Sequence, residues 1–202
     1  MDKYEILIAG TGGQGILSIG GLLEQAALLS GHKKVVGGEI HGLAQRGGSI
    51  AKHVRIGEDV YGPIIPVGCA DVIIGLELVE VIRFLEGLAE DGHIVMSETK
   101  IPSNVMWLSG ISYPKTKDIL NRVKKVTENV TILNTKEIAE KAGNILASNV
   151  VVLGAAVAAV PDFPISEESL KEAIKITFKG KNKLIDVNIK AFEMGIEAIN
   201  GR

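Results

Sequence analysis

The sequence holds one cysteine, Cys69. That excludes an intrachain disulfide, and it excludes an iron–sulfur cluster held by this chain alone, which takes about four thiolates. A reducing, cytoplasmic setting fits the scarcity. Cys69 lies in Val67-Gly68-Cys69-Ala70 with no histidine near it in sequence, and so reads as a buried, inert thiol. An excess of either charge is missing too. A net charge of -2 gives no long-range attraction to nucleic acid phosphates or anionic membranes. The basic run over residues 115–125 is interrupted by Asp118 and by apolar residues, and reads as a solvated helix face. The longest apolar run, residues 150–160, falls well short of the roughly 20 residues of a membrane span. The charged start Met1-Asp2-Lys3-Tyr4-Glu5 runs directly into an apolar segment, so no secretory leader is expected. Also absent are a P-loop, zinc-ligand spacings, a nucleophile elbow and a paired-carboxylate arrangement.

Glycine is abundant, with 24 residues concentrated in the first half, where they predict tight turns and close backbone approaches. The rest of the composition is ordinary for a globular chain, and residues 1–202 are expected to form a single domain. Ile6-Leu7-Ile8-Ala9 reads as a buried parallel strand. A glycine-rich turn follows, then a helical pattern through Ile16, Ile19, Leu22, Leu23, Ala26 and Leu29, and a second strand at Lys34-Val35-Val36-Gly37, together a βαβ unit. Further strands are expected over 49–56, 71–75, 94–96 and 130–133, and a helix over 77–88. Asn134 with Glu137 three residues on forms a capping-box variant, and Gly143 closes that helix. Residues 149–160 are apolar nearly all round, so that helix is buried on every side or packed on a partner. Ser166 caps another helix, and Ile185, Ile189, Phe192, Ile196 and Ile199 stripe the last one. The alternation predicts an α/β fold: a three-layer, Rossmann-like domain with a mostly parallel sheet and a helical C-terminal part.

Two clusters carry the functional reading. Gly10-Thr11-Gly12-Gly13-Gln14-Gly15 satisfies G-x-G-x-x-G between a strand and a helix. Glycines there let a phosphate approach the backbone, and a helix N-terminus offers unpaired N–H groups with partial positive charge. Glu39, 24 residues after Gly15, stands roughly where a ribose-binding acid would, so an NAD(P)-binding Rossmann enzyme is one reading. The others are a turn that packs strand and helix closely, or a contact with another subunit. The second cluster is Glu39-Ile40-His41-Gly42-Leu43-Ala44-Gln45-Arg46-Gly47-Gly48-Ser49, following the second strand. Arg46, with the amides of Gly47 and Gly48, could clamp an anion with its planar fork. Glu39 and His41 supply too few ligands for a metal, and His41 has no paired nucleophile, so neither a metal nor a catalytic residue is expected here.

Together these segments resemble the gamma-type domain of the 2-oxoacid:ferredoxin oxidoreductases. Val54-Arg55-Ile56-Gly57 and Ala70-Asp71-Val72-Ile73-Ile74-Gly75-Leu76-Glu77 extend the resemblance over most of the chain. The His41-to-Ser49 loop is similar to that of the beta subunits of the indolepyruvate branch. The gamma subunits of the pyruvate, 2-oxoglutarate and branched-chain enzymes are the alternatives. The resemblance implies a small subunit, inactive alone, of a hetero-oligomeric oxidoreductase that uses coenzyme A and ferredoxin. It implies thiamine diphosphate, Mg2+ and iron–sulfur clusters on a large alpha subunit and no cofactor on this chain. It makes the site residues Gly10, Gly12, Gly13, Gln14, Gly15, Glu39, His41, Gln45, Arg46, Gly47 and Gly48 an anion or coenzyme A site, or part of a subunit interface. The family uses no nicotinamide.

Overall fold

A computed structural model describes residues 3–42, 47–103, 106 and 108–201. The six strands are β1 (Tyr4–Thr11), β2 (Val35–His41), β3 (Ser49–Ile56), β4 (Ala70–Gly75), β5 (Leu88–Ser97) and β6 (Val130–Leu133). They form one sheet in the order β2-β3-β1-β4-β5-β6. β1, β4, β5 and β6 pair in parallel, and β3 pairs antiparallel with both β1 and β2. β2 therefore runs parallel to β1 without touching it. The expected strand–helix–strand unit is present, but β3 is inserted between its two strands. β2 also extends past Gly37 to His41, because Glu39, Ile40 and His41 pair with Lys52, Ala51 and Ile50.

The helices are α1 (Ile16–Leu29), α2 (Leu78–Arg83), α3 (Thr116–Val123), α4 (Thr135–Ala142), α5 (Ser148–Ala159), α6 (Glu167–Thr177) and α7 (Asn182–Asn200). Strand alternation sorts the side chains to two faces. Ile6, Ile8, Val54, Val72 and Ile74 join Ile19, Leu23, Val151 and Phe192 in the core beneath α1 and α5–α7. Leu7, Ala9, Ala51, Ile73 and Ile94 join Leu78, Val81, Ile119 and Val123 beneath α2 and α3. α5 and α7 cross at two glycines. A Cβ on Gly154 would lie 2.1 Å from the carbonyl oxygen of Phe192, and one on Gly195 would lie 2.2 Å from that of Val151. That close crossing accounts for the small-residue, all-apolar pattern read at residues 149–160.

α2 is shorter than the helix expected over 77–88. It stops at Arg83, a 3-10 turn covers Leu85–Gly87, and β5 begins at Leu88. Leu88 is drawn into the sheet by pairing with Ala70. α3 ends at Val123, so Val126 lies beyond the helix, half-exposed. The caps of α4 and α6 form as their sequences predict: the Glu137 amide donates to Asn134 Oδ1 (3.1 Å) and the Ser169 amide to Ser166 Oγ (3.1 Å). Cys69 is half-buried rather than buried. Among the described residues no helix is long and apolar enough to cross a membrane.

Candidate functional site

β1 and β4 lie side by side, and the chain leaves them in opposite directions, α1 leading to the β2 side and α2 to the β5 side. In open α/β sheets the crevice at such a point, beyond the carboxyl ends of the strands, is where ligands bind. The glycine turn sits there. Gln14 ties it down: the Thr11 amide donates to Gln14 Oε1 (2.7 Å), and Gln14 Nε2 donates to the carbonyl of Leu76 at the end of β4 (2.7 Å). Asn149, at the start of α5, donates to the carbonyl of Gly15 (3.2 Å). Gly15 has φ +79°, and a Cβ there would stand 2.3 Å from Asn149 Nδ2, so the position demands glycine on both counts.

The turn also fixes one end of the second cluster. The Gly12 amide donates to the carbonyl of Gly48 (2.8 Å), and the Gly47 amide to that of Gly12 (3.2 Å). These bonds continue the β1–β3 ladder past Thr11 and Ser49. Gly10, Gly12, Gly13, Gln14 and Gly15 are thus brought together with Gly47 and Gly48. Glu39 and His41 stay apart. Both are exposed on the edge strand β2, two strand spacings or roughly 10 Å from β1. Among the described residues His41 Nδ1 meets only the carbonyl of Gly42 (3.1 Å). Gln45 and Arg46 lie outside the described residues.

α1 begins at Ile16 with no side-chain cap. The first of its bonds runs from the Ile19 amide to the Gly15 carbonyl, and the amides of Gly13, Gly15 and Leu17 find no acceptor among the described residues. They border a groove of about 670 Å³ walled by Leu17, Leu146, Phe178 and Leu184, with Asn149 and Asn188 among its polar groups. Such a helix start suits an anion. Among the described residues no group of three or more His, Cys, Asp or Glu is placed to hold a metal ion.

Two acids that the sequence did not single out as functional complete the crevice. Glu77 is 1% exposed and accepts from the Glu80 amide (2.9 Å), the Ile101 amide (3.0 Å) and the Tyr113 hydroxyl. Burial and Glu77 hold that phenol protonated well above its ordinary range. Glu80 is 7% exposed and accepts from the Ser49 hydroxyl and from Arg83 Nε (3.1 Å). A closed circuit results: Gly12 to Gly48, Ser49 to Glu80, Glu80 to Glu77, then Leu76 back through Gln14 to the turn. No local pattern announces it, because Ser49 and Glu80 are 31 residues apart.

Val54-Arg55-Ile56-Gly57 turns out to be structural. Arg55 binds Glu5 through Nε and Nη2 (2.7 Å each), and its Nη1 donates to the carbonyls of Gly62 (2.7 Å) and Ile64 (3.0 Å). It clamps the irregular segment after β3 onto the sheet, away from the crevice.

The pattern that characterises the pyruvate ferredoxin/flavodoxin oxidoreductases matches residues 5–198. This chain belongs to that family. The indolepyruvate oxidoreductase subunit IorB of Thermococcus kodakarensis is 42% identical over 98% of this chain and 96% of its own length. The ketoisovalerate oxidoreductase subunit VorA of Methanothermobacter thermautotrophicus is 33% identical over 96% of this chain but 36% of its own length. The fold is that of the keto/oxoacid ferredoxin oxidoreductase gamma subunit from Geobacter sulfurreducens PCA. That crystal structure superimposes with a TM-score of 0.70 at 24% identity, over 98% of this chain and 99% of that one. In this member of the oxidoreductase family, the glycine turn and the Gly47-Gly48-Ser49 segment form one hydrogen-bonded platform at the crevice.

Proposed function

We propose that this chain is the small subunit of an indolepyruvate:ferredoxin oxidoreductase. Such a complex decarboxylates an arylpyruvate oxidatively with coenzyme A, giving aryl-acetyl-CoA, CO2 and reduced ferredoxin. The observation that carries the reading is 42% identity with an indolepyruvate oxidoreductase subunit, sustained over 98% of this chain and 96% of that subunit. The chemistry of the side chains supports a division of labour. One cysteine cannot supply the thiolates of a cluster, so thiamine diphosphate with Mg2+ and the iron–sulfur clusters belong to the large alpha subunit in this reading. The small subunit supplies shape and backbone donors in the cytoplasm. The amides of Gly13, Gly15 and Leu17 suit a phosphate of coenzyme A, and Arg46, the sequence neighbour of Gly47, is the guanidinium this reading assigns to the same anion. Glu39, Ile40 and His41, exposed at the end of the edge strand β2, belong to the surface the large subunit meets.

The nicotinamide alternative loses its acid. With β3 inserted, Glu39 stands two strands from the turn instead of beside it. Co-expression with the large subunit tests the proposal. The complex should turn over indolepyruvate and phenylpyruvate faster than pyruvate, 2-oxoglutarate or branched-chain 2-oxoacids, and the isolated small subunit should be inactive. Preference for another 2-oxoacid would move the chain to another branch of the family, and turnover by the isolated chain would overturn the proposal.

A further inference from the structure

We propose that the pocket at the starting edge of β1 and β4, at the far end of the sheet from the glycine turn, binds a small organic cation carrying primary ammonium groups, a diamine or polyamine. The inference goes beyond the indolepyruvate reading and does not depend on it.

The pocket exists because β4 and β5 part there. Ala70 pairs with Leu88 and Val72 with His93, so Asp71 alone stands opposite residues 89–92. A bulge of that kind interrupts the ladder and re-aims the side chains it carries. Gly92 permits the bend, since a Cβ there would lie 2.7 Å from Leu88 Cδ1 and 3.0 Å from the carbonyl oxygen of Ala70. What opens is a cavity of about 440 Å³, bordered by Tyr4, Asp71, Glu90, Asp91, His93 and Pro161. That is room for a small molecule.

Its charge has one sign. Asp71 is half-buried, and Glu90 and Asp91 stand exposed on the bulge. Asp162, next to Pro161, is close enough to act on Tyr4. Among the described residues none of these acids forms an ion pair. Lys3 acts on Asp71 only from a distance. α5 ends here as well. The Val160 amide closes it on the Ala156 carbonyl (3.1 Å), Pro161 has no amide to offer, and the last turn holds no basic residue. The negative end of the helix dipole therefore adds to the acids.

Tyr4 is a separate sign of a ligand. It is 7% exposed and packs edge-on against Phe163, with ring centroids 5.9 Å apart. A phenol so buried ordinarily finds a hydrogen-bond partner. The Tyr4 hydroxyl has none among the described residues, and it opens on the cavity. Burial, then Asp71 and Asp162, hold it protonated well above its ordinary range. It can give its proton to a carboxylate and keep its lone pairs for an incoming N–H donor. No group of His, Cys, Asp or Glu among the described residues is placed to hold a metal ion. The acids stand on two walls, the β5 bulge and the end of α5, and that spread suits separated ammonium groups on a flexible chain.

Calorimetric titration of putrescine and spermidine into the co-expressed complex, at fixed ionic strength, should show saturable binding of one molecule per small subunit. The isolated small subunit should bind equally well. Tyr4→Phe, which keeps the ring against Phe163, should weaken binding roughly tenfold, the loss of one hydrogen bond to a charged group. Glu90→Gln combined with Asp91→Asn, both at exposed positions, should weaken it severalfold. MgCl2 at the same ionic strength should not displace the amine. Absence of saturable binding, displacement by MgCl2, or unchanged affinity in Tyr4→Phe would each overturn the proposal. Binding to the isolated chain that vanishes in the complex would overturn it too, because the large subunit would then cover the pocket.

Discussion

Two pairs of acids lie on the same side of the sheet, at its opposite ends, buried except for the half-buried Asp71, and the chain treats them differently. Glu5, at the start of β1, has Asp71 beside it and is neutralised by Arg55, which grips both of its carboxylate oxygens. Glu77 and Glu80, beyond the end of β4, are met mainly by amides and hydroxyls, and the one guanidinium among their partners is half-exposed. The first arrangement closes on itself, with all three guanidinium nitrogens of Arg55 bonded to Glu5, Gly62 or Ile64. The second hands its bonds outward to the glycine turn and the Gly47-Gly48-Ser49 segment. A buried ion pair of the first kind is a fixture of the fold; the network of neutral donors is a way of aiming other groups.

If that distinction holds, the largest effect on stability comes from the closed end. Arg55→Met leaves the Glu5 carboxylate buried without its cation and frees the segment at Gly62 and Ile64. Breaking one half of such a pair costs about 3–5 kcal/mol. Chemical denaturation should show a loss of that size, and the double variant Glu5→Gln with Arg55→Met should recover a good part of it, since no charge is then stranded. A loss below about 1 kcal/mol would place Arg55 with exposed pairs and dissolve the contrast.

A smaller effect is expected at the open end. Gln14→Ala removes the acceptor of the Thr11 amide and the donor to Leu76, at about 1–3 kcal/mol by denaturation. Here the stability loss should be the lesser consequence. Affinity of the complex for coenzyme A should fall by more than the change in stability suggests, because the turn loses its reference point. Equal effects on binding and stability would make Gln14 an ordinary packing residue.

What the sequence made legible follows the range of the interactions. Asn134, Glu137 and Gly143 announced α4 because a cap is settled within one turn of helix. The glycine turn and the Gly47-Gly48-Ser49 segment were legible as places, because glycine marks backbone geometry locally. The insertion of β3 between β2 and β1 was not, since the 3.6- and 2-residue periods say which face a residue takes and nothing about which strand lies next to it. Asn149 and Gly15 meet across 134 residues, and a lone asparagine opening an apolar helix carries no sign of its partner. The role of Arg55 was hidden for a related reason. In sequence it belongs to a pattern shared with the functional segments, and its buried clamp on Glu5 appears only once β1 and β3 are paired.

The smallest expected effect is a pH dependence confined to the closed end. His53 stands two residues before Arg55, is 5% exposed, and accepts the Ile65 amide on Nδ1 (3.2 Å), so its proton is on Nε2. Burial, and after it the Arg55 and Lys52 cations, hold its pKa below the ordinary 6.5, with Glu5 opposing them. The unfolded chain therefore takes up a proton at a higher pH than the folded one does. Stability from this group is full above pH 6.5 and falls as pH drops through 6.5 toward the lower folded value. Protonating Nδ1 also costs the bond to Ile65, so acid should loosen the segment that Arg55 clamps before it disturbs the Glu77–Glu80 network. Melting temperature followed from pH 7.5 to 5 should fall more steeply in the wild type than in His53→Gln, with hydrogen exchange over residues 58–67 rising first. If the region around Ser49 and Glu80 opened at the same pH, the two ends would be coupled, and the closed end would be no more self-contained than the open one.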